Sequence, residues 1–388
     1  MITKLCFVTT IIIKLKFNGE KRNKKMNKLF KNSIIAAIAV LTVTCYSTSV
    51  FAAGFDVNND NTVNVNDVTF LQNEISNFSD NTDYDLNNDG RIDVNDISTL
   101  QIEISNNDIK TIEANTKLSV TRNEYKQCVG DTVTFTVTTN NAISDITYTS
   151  SDSSVAKIVS TDSNTVKVKV NKVGSATVTA KQCSQSVSVR FSVEKAKCID
   201  LSEWNGNIDF NKVKKSGVTC VILRAGYGKD DNQEDNKFKE YYRQAKNAGL
   251  NVGAYWYSYA TSVDAAKAEV RNCMKTIRGK EFDLPVFLDV EEYRQAVLPR
   301  RTLTDIISTF CDGVKGYGFD VGMYSAKSML VDSAYPDELA SKYLIWMAAP
   351  NNSYNELPSF VDIHQYSWTG SVDGIRGDVD LNYIYNLN

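Results

Sequence analysis

Leu284-Pro285-Val286-Phe287-Leu288-Asp289-Val290-Glu291 is the stretch that decides how this chain folds. It opens on a Pro suited to a turn, continues as an unbroken apolar run and ends in two carboxylates at i and i+2. A short apolar run of this kind reads as a strand buried on both faces, as in a parallel sheet. Side chains two apart on a strand point the same way, so Asp289 and Glu291 are expected to project together from the C-terminal end of a core strand. In α/β barrels that end carries the chemistry. Two acids this close cannot both ionise cheaply. One pKa rises, and the raised carboxyl becomes a proton donor near neutral pH. An isolated Asp-x-Glu fits a solvated strand end or a metal pair equally well, so the flanking chain has to decide.

Around this stretch, apolar runs at 198–201, 218–225, 252–259, 321–324, 344–348 and 363–366 read as further strands. Helical patterns fill 236–248, 263–277 and 302–315. Such alternation predicts a parallel sheet, and this many strands predicts closure into a barrel. Asp200, Tyr227, Tyr257, Asp289, Glu291, Tyr324, Trp346, Gln365, Tyr366 and Asp380 all fall at strand ends. Aromatic faces beside carboxylates suit sugar rings, which stack on their apolar faces and hydrogen-bond at their edges. Each aromatic taken singly reads as core, and only their joint placement points to a site.

Several motifs in order carry a resemblance over residues 197–388. They are Asp200-Leu-Ser202-Glu-Trp204-Asn-Gly206 with Ile208-Asp209-Phe210, Val221-Ile-Leu-Arg224-Ala-Gly226-Tyr227-Gly228, Val252-Gly-Ala-Tyr255, Phe287-Leu-Asp289-Val-Glu291, Gln365-Tyr366 and Gly377-Asp-Val-Asp380-Leu-Asn382. This region resembles glycoside hydrolase family 25, the lysozymes of the Chalaropsis type. The resemblance implies an irregular TIM-like α/β barrel that cleaves the β-1,4 bond between N-acetylmuramic acid and N-acetylglucosamine in peptidoglycan, with no catalytic cofactor. It implies Glu291 as general acid, Asp289 assisting at the anomeric centre, and Asp200 with Asp380 holding and tuning the constellation. Tyr227, Tyr257, Tyr324, Trp346, Gln365 and Tyr366 are the expected substrate contacts. His364, the only His of the chain, stands where the family often carries Trp, which bears on one sugar-contact surface. The same residues leave two other readings open, a non-catalytic cell-wall glycan-binding or adhesion protein and a hydrolase of another N-acetylated glycan such as chitin.

Upstream, residues 109–196 alternate apolar and polar in short runs at 118–120, 132–137, 146–148, 166–170, 176–180 and 187–193, which predicts a small antiparallel sandwich. Residues 149–158 and 173–180 resemble a bacterial Ig-like group 2 domain, an all-β sandwich read as a spacer or, alternatively, as a weak wall-binding module.

Residues 54–108 hold a duplication with a 29-residue period. Asp56, Asn58, Asp60, Asn64 and Asp67, and again Asp85, Asn87, Asp89, Asp93 and Asp96, place oxygens at loop positions 1, 3, 5, 9 and 12. Thr62 and Arg91 offer main-chain carbonyls at position 7. This is the spacing that wraps Ca²⁺ in oxygen ligands, and duplication favours it over a pair of solvated turns. Position 6 holds Gly90 in one loop and Asn61 in the other, both tolerant of a left-handed backbone. Helices are expected at 68–76 and 97–105. One helix after each loop and none before resembles a dockerin, a small α module that implies two structural calcium ions and a cohesin partner on a scaffoldin, as in a cellulosome, or on a cell-surface protein. In that family positions 10 and 11 help select the partner, and here they are Val65/Asn66 and Val94/Asn95.

Residues 1–53 carry nine of the 43 basic residues and one of the 46 acidic ones, leaving 34 against 45, a net charge of −11 for the remainder. An acidic body argues against nucleic acid as the main partner. Lys28 and Lys31, the apolar run 34–43 and the small-residue site at 50–52 read as an export signal, with Met26 the expected start; the run is too short to span a membrane. Plain cleavage is favoured over a lipid anchor at Cys45. A secreted, cell-surface or cellulosome-associated protein is expected. Six Cys follow (128, 183, 198, 220, 273 and 311) without zinc-type spacing, and pairing and free thiols both remain open.

Overall fold

The structure, a computed structural model, describes residues 54–141 and 145–388. The export signal, the start at Met26 and the anchor site at Cys45 lie outside the described residues. Among these, no helix is long and apolar enough to cross a membrane. Two compact units are present: residues 54–117 with 139–145 and 182–185, and residues 118–138, 146–181 and 186–388.

The first unit is built on α1 (Val65–Ser76) and α2 (Val94–Ala114). Both begin three residues earlier than expected. Asn64 and Asp93 are N-caps, and Asp67 and Asp96 at N3 return their side chains to the cap backbone, closing a capping box in each case. Loop positions 9 and 12 therefore also start the helices. Helix α2 outruns its expected end at 105; the Asn-Asn-Asp stretch at 106–108 stays helical, with Asn107 donating to Glu103 one turn back at 3.1 Å. Val57, Val63, Val68, Leu71 and Leu100 form a small apolar core.

In the second unit, eight strands make two four-stranded sheets. They are β1 (Leu118–Val120), β2 (Glu124–Cys128), β3 (Thr132–Thr139), β4 (Thr147–Ser150), β5 (Ala156–Asp162), β6 (Thr165–Val170), β7 (Gly174–Gln182) and β8 (Gln185–Glu194). One sheet has the order β1-β3-β6-β5 and the other β2-β8-β7-β4. Strict alternation on β3 turns Val133, Phe135 and Val137 inward. Strand β2 runs parallel to β8, a departure from the antiparallel expectation. Both β2 and the solvent-facing half of β5 are mainly polar, so neither stood out as a strand.

A single residue, Lys195, separates β8 from β9 (Ala196–Leu201), the first stave of a closed barrel. The barrel continues through β10 (Cys220–Tyr227), β11 (Asn251–Tyr257), β12 (Val286–Asp289), β13 (Val321–Ala326), β14 (Leu344–Ala348) and β15 (Ile363–Gly370), all parallel. An eighth strand, β16 (Val379–Ile384), runs antiparallel to both β15 and β9 and closes the ring, so the barrel departs from an all-parallel arrangement. The helical segments are α3 (Phe210–Lys215), α4 (Phe238–Asn247), α5 (Val263–Ile277), α6 (Tyr293–Ala296), α7 (Arg300–Lys315), α8 (Lys327–Ser333) and α9 (Pro336–Ala340).

Alternate residues of the staves bury in two layers. Val221, Leu223, Val286 and Leu288 pack against the helices, whereas Ile222, Tyr255, Phe287, Trp346 and Ile363 fill the barrel. The inner layer runs on without a break into the sandwich core of Phe135, Val168 and Phe191. Gly130 marks the close approach. Its φ is +95°, and a Cβ there would meet Asn251 at 3.3 Å, Leu387 at 3.6 Å and Leu284 at 3.7 Å. The C-terminal tail is stitched to the sandwich by Leu387 N–H to the Asn171 carbonyl (2.7 Å), Val173 N–H to the Tyr385 carbonyl (2.9 Å) and Asn388 Nδ2 to the Ser154 carbonyl (2.7 Å). The sandwich is thus a stopper for one end of the barrel and not a free spacer. Cys198, Cys220, Cys273 and Cys311 are buried free thiols, with Cys128 free and half-buried.

Candidate active site

The four acids named from the sequence come from three staves that meet at the C-terminal ends of the parallel strands. Asp200 on β9 lies directly opposite Asp380 on β16. Asp289 ends β12 between Tyr257 of β11 and Tyr324 of β13, and Glu291 follows two residues later. Asp200 Oδ2 accepts from Gln365 Nε2 at 3.0 Å and from Asn382 Nδ2 at 2.9 Å. Behind these amides, Gln365 Oε1 accepts from the Tyr324 hydroxyl (2.9 Å) and from Trp368 Nε1 (2.7 Å), and Asn382 Oδ1 accepts from Trp346 Nε1 (2.8 Å). Each amide is pinned at its oxygen, so its nitrogen must face Asp200.

Burial and mutual repulsion set the protonation pattern. Burial pushes Asp289 well above the usual carboxylate range, Glu291 and Asp200 push it further, and Arg224 pulls it back. Burial also raises Glu291, whose residue surface is nevertheless exposed at the mouth. Asp380 is pushed up to about 8 by burial, the charge of Asp200 and the hydrogen bond it gives that residue. Asp200 is raised by burial against the pull of its donors. Asp289 Oδ1 is buried and has no hydrogen-bond partner among the described residues. Arg224 is itself held by Asp235 Oδ2 at 2.7 Å and Glu203 Oε1 at 3.0 Å. The cluster therefore combines a reachable carboxyl of raised proton affinity, Glu291, with a buried Asp289 oxygen open to a donor.

Residues 199–375 match the family model for glycosyl hydrolases family 25, and residues 54–105 match the dockerin type I domain. The autolytic lysozyme of Clostridium acetobutylicum is 31% identical over 186 residues, which cover 48% of this chain and 55% of that protein. Lysozyme M1 of Streptomyces globisporus is 28% identical over 196 residues, covering 47% of this chain and 66% of that protein. The uncharacterized protein YegX of Escherichia coli O157:H7 is 30% identical over 195 residues, covering 47% of this chain and 67% of its own length. The chain belongs to glycosyl hydrolases family 25. It spans about half the length of the first of these relatives.

Within this family 25 barrel the expected aromatic contacts divide. Tyr257 lies beside Asp289 across the β11–β12 pairing, with the Tyr259 ring 5.1 Å away; Tyr227 is one ring further out, 6.4 Å from Tyr259 and 5.7 Å from the Arg224 guanidinium. Tyr324 is buried among the acids as a donor to Gln365. Trp346 is core, 2% exposed beneath Tyr324, and reaches the site only through Asn382. Tyr366 alternates away from Gln365 and stacks on Tyr383 at 4.6 Å, so it is not brought to the acids. His364 is buried with a ring nitrogen 3.0 Å from the Ala349 carbonyl, a satisfied core residue. Trp368, half exposed, takes the outer position instead; a cavity of about 460 Å³ opens beside it, lined also by Lys327, Asp332, Asn351 and Asn352. Asn382 and Arg224 belong to the motifs that carry the family resemblance, but neither bears a reactive group that would single it out in the sequence.

The dockerin-type loops repeat each other closely. Asp56 Oδ1 and Oδ2 accept from Asp60 N–H and Asn61 N–H at 3.0 and 2.8 Å; Asp85 does the same for Asp89 and Gly90 at 3.1 and 2.9 Å. Asn61 and Gly90 take the left-handed backbone expected at position 6, and Asn59 and Asn88 share it. Asp67 and Asp96 are fully buried at position 12. Asp67 is raised by burial first, and the charges of Asp60 and Asp56 add to it. Among the described residues no three of His, Cys, Asp or Glu converge as a metal site. The donors here are Asp and Asn oxygens with the main-chain carbonyls of Thr62 and Arg91, an all-oxygen set that fits a hard cation.

Proposed function

We propose that this protein is an exported N-acetylmuramidase that hydrolyses the β-1,4 bond between N-acetylmuramic acid and N-acetylglucosamine in peptidoglycan. The observation that carries the reading is the buried, unpartnered Asp289 Oδ1 beside the exposed, raised Glu291. A 2-acetamido sugar has an N–H that such an oxygen accepts. Held that way, the acetamido carbonyl oxygen attacks its own anomeric carbon while the Glu291 proton passes to the departing glycosidic oxygen. The C–O bond breaks, and a cyclic oxazolinium forms, its charge offset by the newly ionised Glu291 and its N–H held by Asp289 Oδ1. Glu291, now ionised, takes a proton from water, which opens the ring and restores both groups. Asp200, charged and braced by amides, and Asp380, protonated, keep the local field fixed during the exchange of charge. Tyr227, Tyr257 and Trp368 supply ring faces and donors for flanking sugars.

The support for tethering is the dockerin match, from which we infer two structural calcium ions held by Asp56, Asn58, Asp60, Thr62, Asn64 and Asp67 and by Asp85, Asn87, Asp89, Arg91, Asp93 and Asp96. The ions would neutralise the crowded carboxylates and order the loops ahead of α1 and α2; a cohesin on a scaffoldin or surface protein is the inferred partner. We read the sandwich as Ig-like from its sequence motifs. Parallel assays of the full chain on purified peptidoglycan and on chitin test the catalytic reading. Release of reducing sugar from peptidoglycan alone, abolished by Glu291→Gln, is expected; release from chitin, or from neither, rejects it.

A further inference from the structure

Helix α5 carries a buried acid for which the reaction above has no use. Glu269 is fully shielded from solvent, and both its oxygens serve the segment leaving β11. Oε2 accepts from Ser258 Oγ at 2.7 Å and Oε1 from the Tyr259 N–H at 2.9 Å. Ser258 Oγ in turn accepts from Ala260 N–H (3.2 Å) and Gln295 Nε2 (3.1 Å). Gln295 Oε1 accepts from the Glu292 N–H at 3.2 Å, and Glu292 Oε1 accepts from the Tyr257 hydroxyl at 2.8 Å. The chain of bonds thus returns to the residue next to Ser258, and the Ser258 N–H donates to the Asp289 carbonyl at 2.9 Å.

Counting donors shows why an acid stands here. Ser258 Oγ already accepts two bonds, so its one proton has only Glu269 to go to, and the Tyr259 N–H needs a second acceptor. A carboxylate supplies both. An amide supplies one oxygen and turns an N–H₂ toward a donor.

We propose that Glu269 is a positioning residue: by bracing the turn at 258–260 it holds Tyr257 against Glu292 and the 289–292 segment in place, and so sets the surroundings of Glu291, the acid that the proposed reaction uses. This rests on the reading of Glu291 given above. The Tyr257 hydroxyl donates to Glu292 Oε1 at 2.8 Å and so offsets part of the Glu292 charge that raises Glu291. The groups facing Glu269 are Lys229 from the segment after β10 and Cys273 one turn further along α5; Gln295 of α6 is neutral, and Ile306 of α7 meets the turn as an apolar neighbour. Burial lifts Glu269 itself to about 7, against the bonds it accepts from Ser258 and Tyr259. Its ionisation therefore tightens the brace as pH rises, and Glu291 gives up its proton earlier than it otherwise would.

The test is the pH dependence of kcat/KM of the full chain on a soluble muropeptide oligomer. Glu269→Gln, Ser258→Ala and Tyr257→Phe are each expected to move the basic limb upward by about half a pH unit and to lower kcat/KM by roughly tenfold. The pair Glu269→Gln with Tyr257→Phe is expected to shift no further than either alone, because both cut one chain of bonds. If Glu269→Gln does not fold, Ser258→Ala, which removes one hydroxyl, carries the comparison. A basic limb that stays in place while thermal stability falls overturns the inference, as does a double variant whose shifts add. Failure of the wild-type chain to cleave the oligomer strikes instead at the muramidase reading.

Discussion

Asp200 and Asp380 face each other across the antiparallel pairing of β9 with β16, and the Asp380 carboxyl donates its hydrogen bond to Asp200. Asp200 consequently accepts from three groups, Asp380, Gln365 and Asn382, and only its ionised form can serve them all. The two acids are unequal, and their variants should separate. Asp380→Asn keeps a donor toward Asp200, so a loss of kcat within roughly tenfold is expected; Asp200→Asn sets its amide against two other amides and is expected to cost at least about 100-fold. Steady-state kinetics on a muropeptide oligomer rank the two.

The same pair gives stability a sign with pH. Asp380 holds its proton more tightly folded, at about 8, than unfolded, near 3.8. Its contribution is therefore fully present below the unfolded value and is lost as pH rises through about 8. Melting temperature is expected to decline between pH 4 and 8 in the wild type, and the decline should be shallower in Asp380→Asn. Thermal melts across that range check it.

The sandwich and barrel share one apolar core, so they are expected to unfold together. Gly130→Val forces a branched side chain into φ +95° against Asn251, Leu284 and Leu387. A loss of about 1–3 kcal/mol is expected, felt by both parts as one shifted transition. Denaturant unfolding followed separately at the barrel Trp residues and by far-UV dichroism should give coincident midpoints; a barrel transition left unmoved contradicts the shared core.

The proposed calcium ions belong to the dockerin loops and to no step of the proposed reaction. Calorimetry on the full chain is expected to find two sites, abolished by Asp56→Ala with Asp85→Ala. Chelation should leave hydrolysis of soluble oligomer unchanged within about twofold, since no loop residue belongs to the acid cluster. Loss of hydrolysis with chelator would place a metal in the reaction.

The staves of the barrel were legible because both of their faces are buried, giving short apolar runs; β14 matches its expected range residue for residue, and β12 falls inside the 284–291 stretch. Strand β16 escaped because Asp380 and Asn382 turn inward, and a stave with polar inward positions does not look like a core strand. Tyr366 was misplaced for a related reason. It shares a strand end with Gln365, but strand alternation turns it to the other side. Trp368 went unnoticed because it lies beyond the apolar run, on the part of β15 where the register with β16 shifts. The packing of the sandwich against the barrel left no mark in the sequence, because its interface is made of single residues such as Gly130 and Leu387, drawn from separate segments.

The identity and anomeric form of the sugar at the new reducing end test the central claim most directly. Asp289 and Glu291 stand two residue rises apart, roughly 6–7 Å along the backbone, a spacing between those typical of retaining and inverting pairs. The unpartnered Asp289 oxygen favours the neighbouring-group route, which retains configuration. Proton NMR of the first product formed from a defined muropeptide oligomer should therefore show N-acetylmuramic acid as the reducing end, in the β form before it mutarotates. A reducing-end N-acetylglucosamine would contradict the assigned bond, and a first-formed α anomer would contradict the role given to Asp289.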